Sequence, residues 1–339
     1  MNAVLVTGGA GYVGSHTVKA LAAAGRDVVV YDDLSAGHAE AVARIAKAFP
    51  ARRVTLVRGD ILDRGALTAA LRSASASAVL HFAARLLVGE SVREPIGYYR
   101  ANVDGSMTLL QAMADTGVGC LVFSSTAATF GEPQTVPIAE DHPQHPINPY
   151  GETKLAVERA LPHVERATGI RSVTFRYFNA AGADPDGLIG EDHDPEEHLI
   201  PLAIAATRGG TPLTVFGDDY DTPDGTCVRD YVHVTDLADA HVAAVGALER
   251  GGASASYNLG NGTGMSVREV IASVARVSGR PVPHRMGPRR PGDPARLVAS
   301  NDRARRALGW APRLGALDAI VRTACEWHDR HPHGYEDRA

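Results

Sequence analysis

The sequence predicts an α/β protein with a doubly wound parallel sheet. Three observations lead to this fold class. Short Val-rich segments alternate with segments of helical spacing, the Val-rich segments are apolar almost throughout, and a glycine-rich turn follows the first of them. Nearly continuous apolar strands are typical of parallel sheets that helices cover on both faces. The fold is therefore expected to be of the Rossmann type.

The elements follow one another in a regular order. Strands are predicted at residues 3–8, 27–32, 53–60, 77–84, 120–125 and 172–179, and helices at 13–24, 103–115 and 151–167. After residue 180 the sequence becomes rich in Gly, Pro and Asp, and shorter elements are predicted at 198–216, 229–247 and 266–278. We expect residues 1–179, completed by about 230–258, to form a dinucleotide-binding domain. Residues 180–339 are expected to form mainly a smaller α/β domain that binds the substrate.

Composition limits the class of function. The 339 residues are 45% hydrophobic, which is enough for a sizeable core, and the formal net charge of −5 disfavours a nucleic-acid binder. No apolar run approaches the roughly 18 residues of a membrane span, and the N-terminus lacks the features of a signal peptide. Three widely spaced cysteines (120, 227 and 325) indicate neither a disulfide framework nor a metal site. A cytoplasmic protein without a metal is expected.

The turn VTGGAGYVGSH joins the first predicted strand to a helix. Gly8, Gly11 and Gly14 are placed where a tight turn lets the backbone approach a pyrophosphate, although an ordinary strand–helix turn has the same composition. Asp32 ends the next strand, 18 positions after Gly14, where a carboxylate binds ribose hydroxyls and repels a 2′-phosphate. NAD is therefore favoured over NADP. Asp60, after the third strand, is expected either to reach the adenine or to cap a helix.

The segment NPYGETK places Tyr150 and Lys154 one helical turn apart, behind a proline that can begin a helix. The ammonium group would then lower the pKa of the phenol. On spacing alone, an exposed tyrosine and a solvated lysine are the simpler interpretation. The strand at 120–125 favours a catalytic role for Tyr150 and Lys154. It ends with Ser124 and Ser125 and is followed by Thr126, and ligands of doubly wound sheets bind beyond the carboxyl ends of strands.

The chain resembles the extended short-chain dehydrogenase/reductase superfamily and, within it, the UDP-glucose (UDP-galactose) 4-epimerases. The motifs that carry the resemblance are TGGAGYVG, HFAARLLVGESV, ANVDGS, SSTAATFG, NPYGETK, RYFNAAG, VFGDDYDTPDGTCVRDYVHV, YNLGNG and RRPGD. They occur in order over nearly the whole chain, from residue 3 to about 335. The resemblance implies a reversible, NAD-dependent oxidation at C4 of a UDP-hexose through a 4-keto sugar. It also implies a homodimer that pairs through helices near 103–115 and 151–167.

The resemblance further implies which residues form the site. Tyr150 would be the base, Thr126 would bond the same sugar oxygen, and Lys154 would hold the cofactor ribose and keep Tyr150 acidic. The implied NAD site consists of Gly8, Gly11, Tyr12, Val13, Gly14, Asp32, Leu34, Asp60, Ile61, Phe82, Ala83, Ala84, Asn102, Ser124, Tyr150, Lys154 and Tyr177. The implied UDP-sugar site consists of Thr126, Tyr150, Phe178, Asn179, His198, Leu199, Thr214, Phe216, Arg229, Arg290, Asp293 and Leu297. The two arginines suit a diphosphate, and Asp293 suits a ribose hydroxyl.

Several positions depart from the family pattern. Leu86 occupies the position of a cofactor-contacting lysine, for which Arg85 is a neighbouring substitute. His198 stands where an asparagine usually contacts the sugar side of the ligand. Leu297 is intermediate in size at a position that is bulky in hexose-restricted members and smaller where N-acetylhexosamines enter. An epimerase of UDP-N-acetylhexosamines or of another nucleotide sugar is therefore an alternative.

Two further alternatives differ in the chemistry they require. Related dehydratases and decarboxylases carry carboxylates near the strand-end hydroxyl, whereas Ala127 and Ala128 follow Thr126 here, so the reaction is expected to stop at C4. A non-catalytic NAD-sensing scaffold could have the same fold. The intact Tyr150 and Lys154 argue against it.

Overall fold

The computed structural model describes residues 3–290 and 293–337. The RRPGD motif therefore lies partly outside the described residues, as do the first two residues of the N-terminal segment. Thirteen strands lie within the described ranges: β1 Val4–Thr7, β2 Val28–Asp32, β3 Val54–Arg58, β4 Ala78–His81, β5 Cys120–Thr126, β6 Arg171–Tyr177, β7 Asn179–Ala181, β8 Leu213–Phe216, β9 Val228–His233, β10 Ala255–Leu259, β11 Gly264–Ser266, β12 His284–Gly287 and β13 Arg296–Leu297.

The same ranges contain twelve α-helices: α1 Tyr12–Ala23, α2 Ala39–Ala48, α3 Arg64–Ala74, α4 Val88–Arg93, α5 Pro95–Tyr98, α6 Gly105–Thr116, α7 Pro149–Thr168, α8 Leu199–Thr207, α9 Val234–Glu249, α10 Val267–Ser278, α11 Asp302–Leu308 and α12 Leu317–Arg330. A π-helical turn at Tyr99–Asp104 leads into α6, and a 3-10 turn follows β5 at Ala127–Thr129. None of the helices in the described residues is both long and apolar enough to cross a membrane.

Seven strands form one parallel sheet in the order β10-β6-β5-β4-β1-β2-β3. The chain order reverses at β1, where β4 pairs on one side and β2 on the other. This is the switch point at which doubly wound sheets bind their ligands. The predicted fold class is confirmed.

Strands β1, β2 and β4 are buried on both faces, which explains their continuous apolar sequence, whereas the edge strand β3 is partly exposed. Val4 and Val6 of β1 face a cluster that includes residues of α1 and α9, whereas Leu5 faces a cluster that includes residues of α3 and α6. All three side chains are fully buried. Because successive strand residues point to opposite faces, a sheet between two helical layers needs an apolar residue at every position.

The helix that carries Tyr150 begins where the sequence predicts. Asn148 caps α7 by accepting a hydrogen bond from the Gly151 amide at 2.9 Å, and Pro149 occupies the first helical position. Gly169 ends the helix in the left-handed conformation with φ of 79°. The predicted helix at 103–115 differs more, because its first residues belong to the π-helical turn.

The second half of the chain adds smaller sheets. Strands β7, β9, β11 and β13 form one, β8 and β12 form another, and helices α8, α10 and α12 contribute to the apolar cluster beside them. Strand β10 returns to the large sheet beside β6, in the region expected to complete the first domain. The division into a cofactor-binding and a substrate-binding domain stays a prediction.

Candidate active site

The glycine turn lies at the switch point, between β1 and α1. Gly8 has φ of +70°, and a Cβ there would lie 2.4 Å from the Ala83 amide nitrogen. A Cβ on Gly14 would lie 2.1 Å from the Gly8 carbonyl oxygen. Both positions therefore require glycine for the fold alone.

Gly11 is different, because its neighbours within the protein leave room for a side chain. The nearest atom to a Cβ there would be the Gly8 carbonyl oxygen at 3.4 Å. Gly11 is also the N-cap of α1, with no side-chain cap and no acidic residue in the first turn of the helix. The amide groups at this helix terminus are suited to a pyrophosphate, and a side chain on Gly11 would obstruct it. The turn thus fits a dinucleotide.

Asp32 is held at the end of β2 with both carboxylate oxygens in place. Oδ2 accepts a hydrogen bond from the Ala10 amide and Oδ1 accepts one from the Leu34 amide, each at 2.9 Å. Burial raises its pKa, although these two hydrogen bonds act in the opposite direction. Each oxygen retains a lone pair for a ribose hydroxyl. Leu34 has φ of 65°, so the backbone turns sharply after the carboxylate.

Asp60 does not cap a helix. Its Oδ1 accepts a hydrogen bond from the Leu62 amide at 2.8 Å, whereas Asp63 caps α3 by accepting one from the Ala66 amide. The helix cap predicted as the alternative for Asp60 is therefore wrong, and the adenine contact stays a prediction. Ile61 is buried, and a Cβ on Gly105 would lie 2.5 Å from its Cδ1 atom.

The remaining predicted cofactor residues surround the same end of the sheet. Phe82, Ala83 and Ala84 follow β4, and Val13 lies in the first turn of α1. The amides of Phe82 and Ala83 both donate to the Thr7 carbonyl. The Tyr12 hydroxyl donates to the Gly182 carbonyl at 2.6 Å, which joins the glycine turn to the loop after β7.

Asn102 lies in the π-helical turn and is almost fully buried. Its Oδ1 accepts a hydrogen bond from the Arg85 amide at 2.8 Å, and its Nδ2 donates to Thr153 Oγ1 at 3.0 Å. The side chain thereby fastens the segment after β4 to α7. Single π turns occur often at functional sites.

Arg85 does not replace the missing lysine as a free cation. Its guanidinium group pairs with Glu90 at 2.6 Å and with Glu94 at 3.1 Å, and it lies 5.0 Å from the ring centre of Tyr98. Leu86 is 41% exposed. The family pattern has a lysine at the position of Leu86. The positive charge of the neighbouring Arg85 does not replace that lysine, because it is already paired with Glu90 and Glu94.

Lys154 is buried beneath the carboxyl end of β5. Its side-chain nitrogen donates to the Ser124 carbonyl at 2.9 Å and lies 5.1 Å from the ring centre of Phe123. The residue is 3% exposed, and burial lowers its pKa to about 7, with Glu158 acting in the opposite direction. Lys154 is therefore not solvated, which rules out the interpretation of the Tyr150–Lys154 pair as an exposed tyrosine and a solvated lysine.

Tyr150 and Thr126 meet through their hydroxyl groups. Thr126 Oγ1 accepts a hydrogen bond from the Ala128 amide at 3.2 Å, so its own proton is available to the phenol oxygen. Burial raises the pKa of Tyr150 above its ordinary value, and the hydrogen bond with Thr126 lowers it. The predicted lowering of the Tyr150 pKa by Lys154 is therefore wrong for the protein alone, because burial outweighs the lowering contribution, which comes from Thr126. A positive charge on a bound cofactor would supply the missing contribution.

Tyr177 lies beside this pair on β6, opposite Thr126. Its hydroxyl and His241 Nε2 are 2.9 Å apart, and His241 Nδ1 lies 2.8 Å from the Leu237 carbonyl. Since a carbonyl can only accept, Nδ1 carries the proton, and Tyr177 donates to Nε2. Burial lowers the pKa of His241 to about 4 and raises that of Tyr177, which also bonds Ser124. The sequence analysis missed His241, because nothing in its local pattern shows that it faces Tyr177.

The hydrogen bond between Thr126 and Tyr150 predicts a change in the pH profile. Removing it in Thr126→Val should raise the pKa of Tyr150, so the acid limb of the kcat profile should move to higher pH. The rate should also fall about 10²-fold, as when an oriented donor is lost. Thr126→Ser should keep the wild-type limb. A limb unmoved in the valine variant would show that this hydrogen bond does not set the pKa of the base.

The predicted substrate residues begin next to Thr126. Phe178 and Leu297 pack against the buried Ala127 and Phe130. Leu297, on β13, is in turn paired with Arg229 on β9. Leu297 therefore links the cluster that follows Thr126 to the strand of the arginine expected to bind a diphosphate.

Arg229 and Asp293 form an ion pair with each other. Arg229 is nearly buried, and its Nη1 also donates to the Val228 carbonyl at 2.8 Å. The sequence assigned these two residues to different parts of a nucleotide. The ion pair places them side by side, with N–H groups and a carboxylate oxygen still available.

The other predicted residues lie in three separate places. The Arg290 guanidinium lies 4.0 Å from the ring centre of Phe216 on β8, the strand that also carries Thr214. His198 is the N-cap residue of α8, and Leu199 begins that helix. His198 Nδ1 lies 3.0 Å from Glu191 and 2.9 Å from Glu196. Asn179 is on β7, paired with β9.

The fold and this arrangement define a Rossmann-type protein with a dinucleotide turn beside a tyrosine, a lysine and a threonine. A sequence profile of the NAD dependent epimerase/dehydratase family matches residues 4–260. The chain belongs to this family, and the prediction of an NAD-dependent enzyme is confirmed.

Proteins similar to this chain include several UDP-glucose 4-epimerases. The chain is 51% identical to UDP-glucose 4-epimerase of Halalkalibacterium halodurans, over 98% of this chain and 97% of the relative. The crystal structure of UDP-glucose 4-epimerase from Brucella ovis in complex with NAD is 50% identical, with a TM-score of 0.91 over 96% of this chain and 98% of that one. The enzyme from Bifidobacterium longum in complex with NAD+ and UDP is 38% identical, with a TM-score of 0.92 over 98% of this chain and 100% of that one. The resemblance inferred from the motifs is confirmed.

Proposed function

We propose that the protein interconverts UDP-glucose and UDP-galactose by NAD-dependent epimerisation at C4. The observation that carries this proposal is the placement of Tyr150, Thr126 and Lys154 at the carboxyl end of β5, beside the glycine turn. The full-length similarity to UDP-glucose 4-epimerases supports the same substrate. Ala127 and Ala128 occupy the turn after Thr126, so this turn offers no carboxylate for an elimination.

The side chains have distinct roles in the proposed reaction. When bound, NAD+ would supply reversible hydride chemistry at C4 of the sugar. Tyr150, as the phenolate, takes the proton from the 4-hydroxyl and gives it back in the reverse step. Thr126 hydrogen-bonds the same oxygen. Lys154 would hold the cofactor ribose and favour the phenolate through its charge.

The nucleotide would be held away from the reacting carbon. Arg229 and Arg290 are suited to the diphosphate, since guanidinium groups bind phosphate oxygens in a bidentate manner. Asp293 would accept from a ribose hydroxyl. A sugar anchored mainly through its diphosphate can rotate and present its other face, which inverts the configuration at C4.

The substrate claim can be tested with two nucleotide sugars. The NAD-loaded protein should convert UDP-galactose, and it should convert UDP-N-acetylgalactosamine with a kcat/KM at least about tenfold lower. Leu297→Ala should narrow this difference, because it removes side-chain volume from the apolar cluster against which Phe178 also packs. Turnover of the N-acetylated sugar alone would instead establish the alternative substrate. Absence of turnover with every nucleotide sugar would favour the scaffold.

We also propose that two copies of the chain form a homodimer. Val92 and Ile96, on α4 and α5, are 62% and 85% exposed, and Tyr99 beside them is 44% exposed. Apolar side chains this exposed and this close together are unusual on the surface of a monomer. They directly precede α6, one of the two helices through which the resemblance implies pairing.

Ile96→Glu should convert the dimer to a monomer, because it places a charge within the apolar contact. Size-exclusion chromatography with light scattering would measure the mass. Val57→Glu is a suitable control, since Val57 is an exposed apolar residue on β3, at the far edge of the large sheet. A wild-type protein with the mass of one chain would contradict the proposal.

A further inference from the structure

Two carboxylates and two imidazoles form a closed ring in the loop between β7 and α8. Glu191 Oε1 lies 3.4 Å from His193 Nδ1 and 3.0 Å from His198 Nδ1. The Glu196 carboxylate closes the ring, with Oε2 3.6 Å from His193 Nδ1 and Oε1 2.9 Å from His198 Nδ1. One ligand atom from each of the four residues lies within 4.8 Å of all the others.

These separations suit a four-coordinate metal ion. Zinc binds imidazole nitrogen and carboxylate oxygen at about 2.0–2.2 Å, so two ligand atoms of a tetrahedral site are about 3.3–3.6 Å apart. The four contacts around the ring span 2.9 to 3.6 Å. Small side-chain rotations would therefore bring the ring to zinc geometry. Two carboxylates and two neutral imidazoles also balance the charge of a divalent ion.

A second observation points to a ligand at the centre. Glu191 Oε1 and His193 Nδ1 are buried atoms that have ion-pair neighbours in the ring but no hydrogen bond of acceptable geometry among the described residues. Glu191 as a whole is only 4% exposed. Buried polar atoms nearly always have a partner, and a charged one is costly to leave without it. Both atoms belong to the ring, so one central ion would satisfy them together.

The backbone of the ring is anchored in the core. The Glu191 carbonyl accepts a hydrogen bond from Trp327 Nε1 at 3.0 Å, and Trp327 is 1% exposed. The Gly190 amide donates to the Tyr335 hydroxyl at 3.1 Å. On the other side, the His193 ring meets the Tyr12 ring edge-on at 6.0 Å. Glu191 is therefore a fixed ligand, onto which the more exposed Glu196 and His198 can close.

We propose that Glu191, His193, Glu196 and His198 bind one divalent transition-metal ion of the zinc type. The sequence analysis expected no metal, because it considered cysteines and paired histidines and took EDHDPEEH for a loop. Bound zinc would fix residues 191–198 against the core and set the position of His198 and Leu199. Since these two residues are predicted to contact the UDP-sugar, the metal would act on sugar binding rather than on Tyr150. This consequence rests on the proposed function, but the metal site does not.

Zinc binding can be measured directly. The NAD-loaded protein is treated with EDTA, freed of the chelator and titrated with zinc chloride in competition with a colorimetric zinc indicator. The wild-type protein should bind one equivalent per chain. Glu191→Gln and His193→Asn should each weaken binding at least about tenfold, since each removes a ligand. His284→Asn, at an exposed histidine on β12, should bind as the wild type does.

Retained NAD and the circular dichroism spectrum would show that the variants are folded. Glu196→Gln removes a ligand from the less buried side of the ring, so it provides a test if the Glu191 variant does not fold. Anomalous scattering at the zinc edge from wild-type crystals gives a measurement without any variant, and the peak should lie among the four side chains. A peak elsewhere, less than one equivalent bound, or equal affinity in the ligand variants would overturn the proposal.

Discussion

Replacing Tyr150 by Phe is expected to lower kcat for UDP-galactose by about 10²–10⁴-fold, which is the usual contribution of a general base. The substitution removes one hydroxyl group and leaves the aromatic ring in place. In the structure this hydroxyl is hydrogen-bonded to Thr126, at the carboxyl end of β5. The loss should therefore fall on proton transfer and not on the assembly of the site.

Two further measurements make this prediction specific. The Tyr150→Phe variant should keep its NAD content and its KM for UDP-galactose within a few-fold of the wild type. Tyr99→Phe removes the hydroxyl of an exposed tyrosine but keeps its ring in the proposed dimer contact, so it should leave kcat unchanged. Activity retained in the Tyr150 variant would remove this residue as the base.

Replacing Lys154 by Met should lower kcat/KM about 10²–10³-fold and weaken NAD binding. Lys154 is 3% exposed, and its nitrogen donates to the Ser124 carbonyl at 2.9 Å. Methionine has a similar length but has neither a charge nor a donor. Burial raises the pKa of Tyr150. Loss of the cation one turn further along α7 should make the phenolate still harder to form.

Arginine should not replace this lysine. The chain has 31 arginines and three lysines, so a position that needs only a positive charge would most often be occupied by Arg. The buried nitrogen of Lys154 has one carbonyl partner in the structure, whereas a guanidinium group is larger and has five N–H donors. Lys154→Arg should therefore be impaired as well, and Lys47→Met, at an exposed lysine on α2, should be unaffected. Wild-type kinetics in either Lys154 variant would contradict the assigned role.

The sequence predicted those parts of the fold that depend on local pattern. The six strands of the first half were found because an apolar residue is needed at every position of a sheet covered on both faces. The start of α7 was found because Asn148 and Pro149 are an N-cap and a first helical residue. The glycine turn was found because the backbone leaves no room for a Cβ at Gly8 or Gly14. The Ala10 amide of the same turn donates a hydrogen bond to Asp32, which lies at its expected place.

The parts that escaped prediction depend on contacts between distant residues. The direction of Arg85 is set by Glu90 and Glu94, and a spacing pattern does not show which carboxylates a flexible guanidinium group selects. The ring that contains Glu191 is positioned by Trp327, 136 residues further along the chain. The pKa of Tyr150 depends on burial, which the sequence does not give. Each of these needed the folded chain.

The central claim is that hydrogen leaves C4 and returns to the same carbon within one site. Conversion of UDP-galactose carrying deuterium at C4 tests it most directly, with the product examined by mass spectrometry and NMR. UDP-glucose should keep the deuterium at C4, and a reaction in heavy water should introduce none there. Loss of the label to solvent, or its transfer to another carbon, would contradict it.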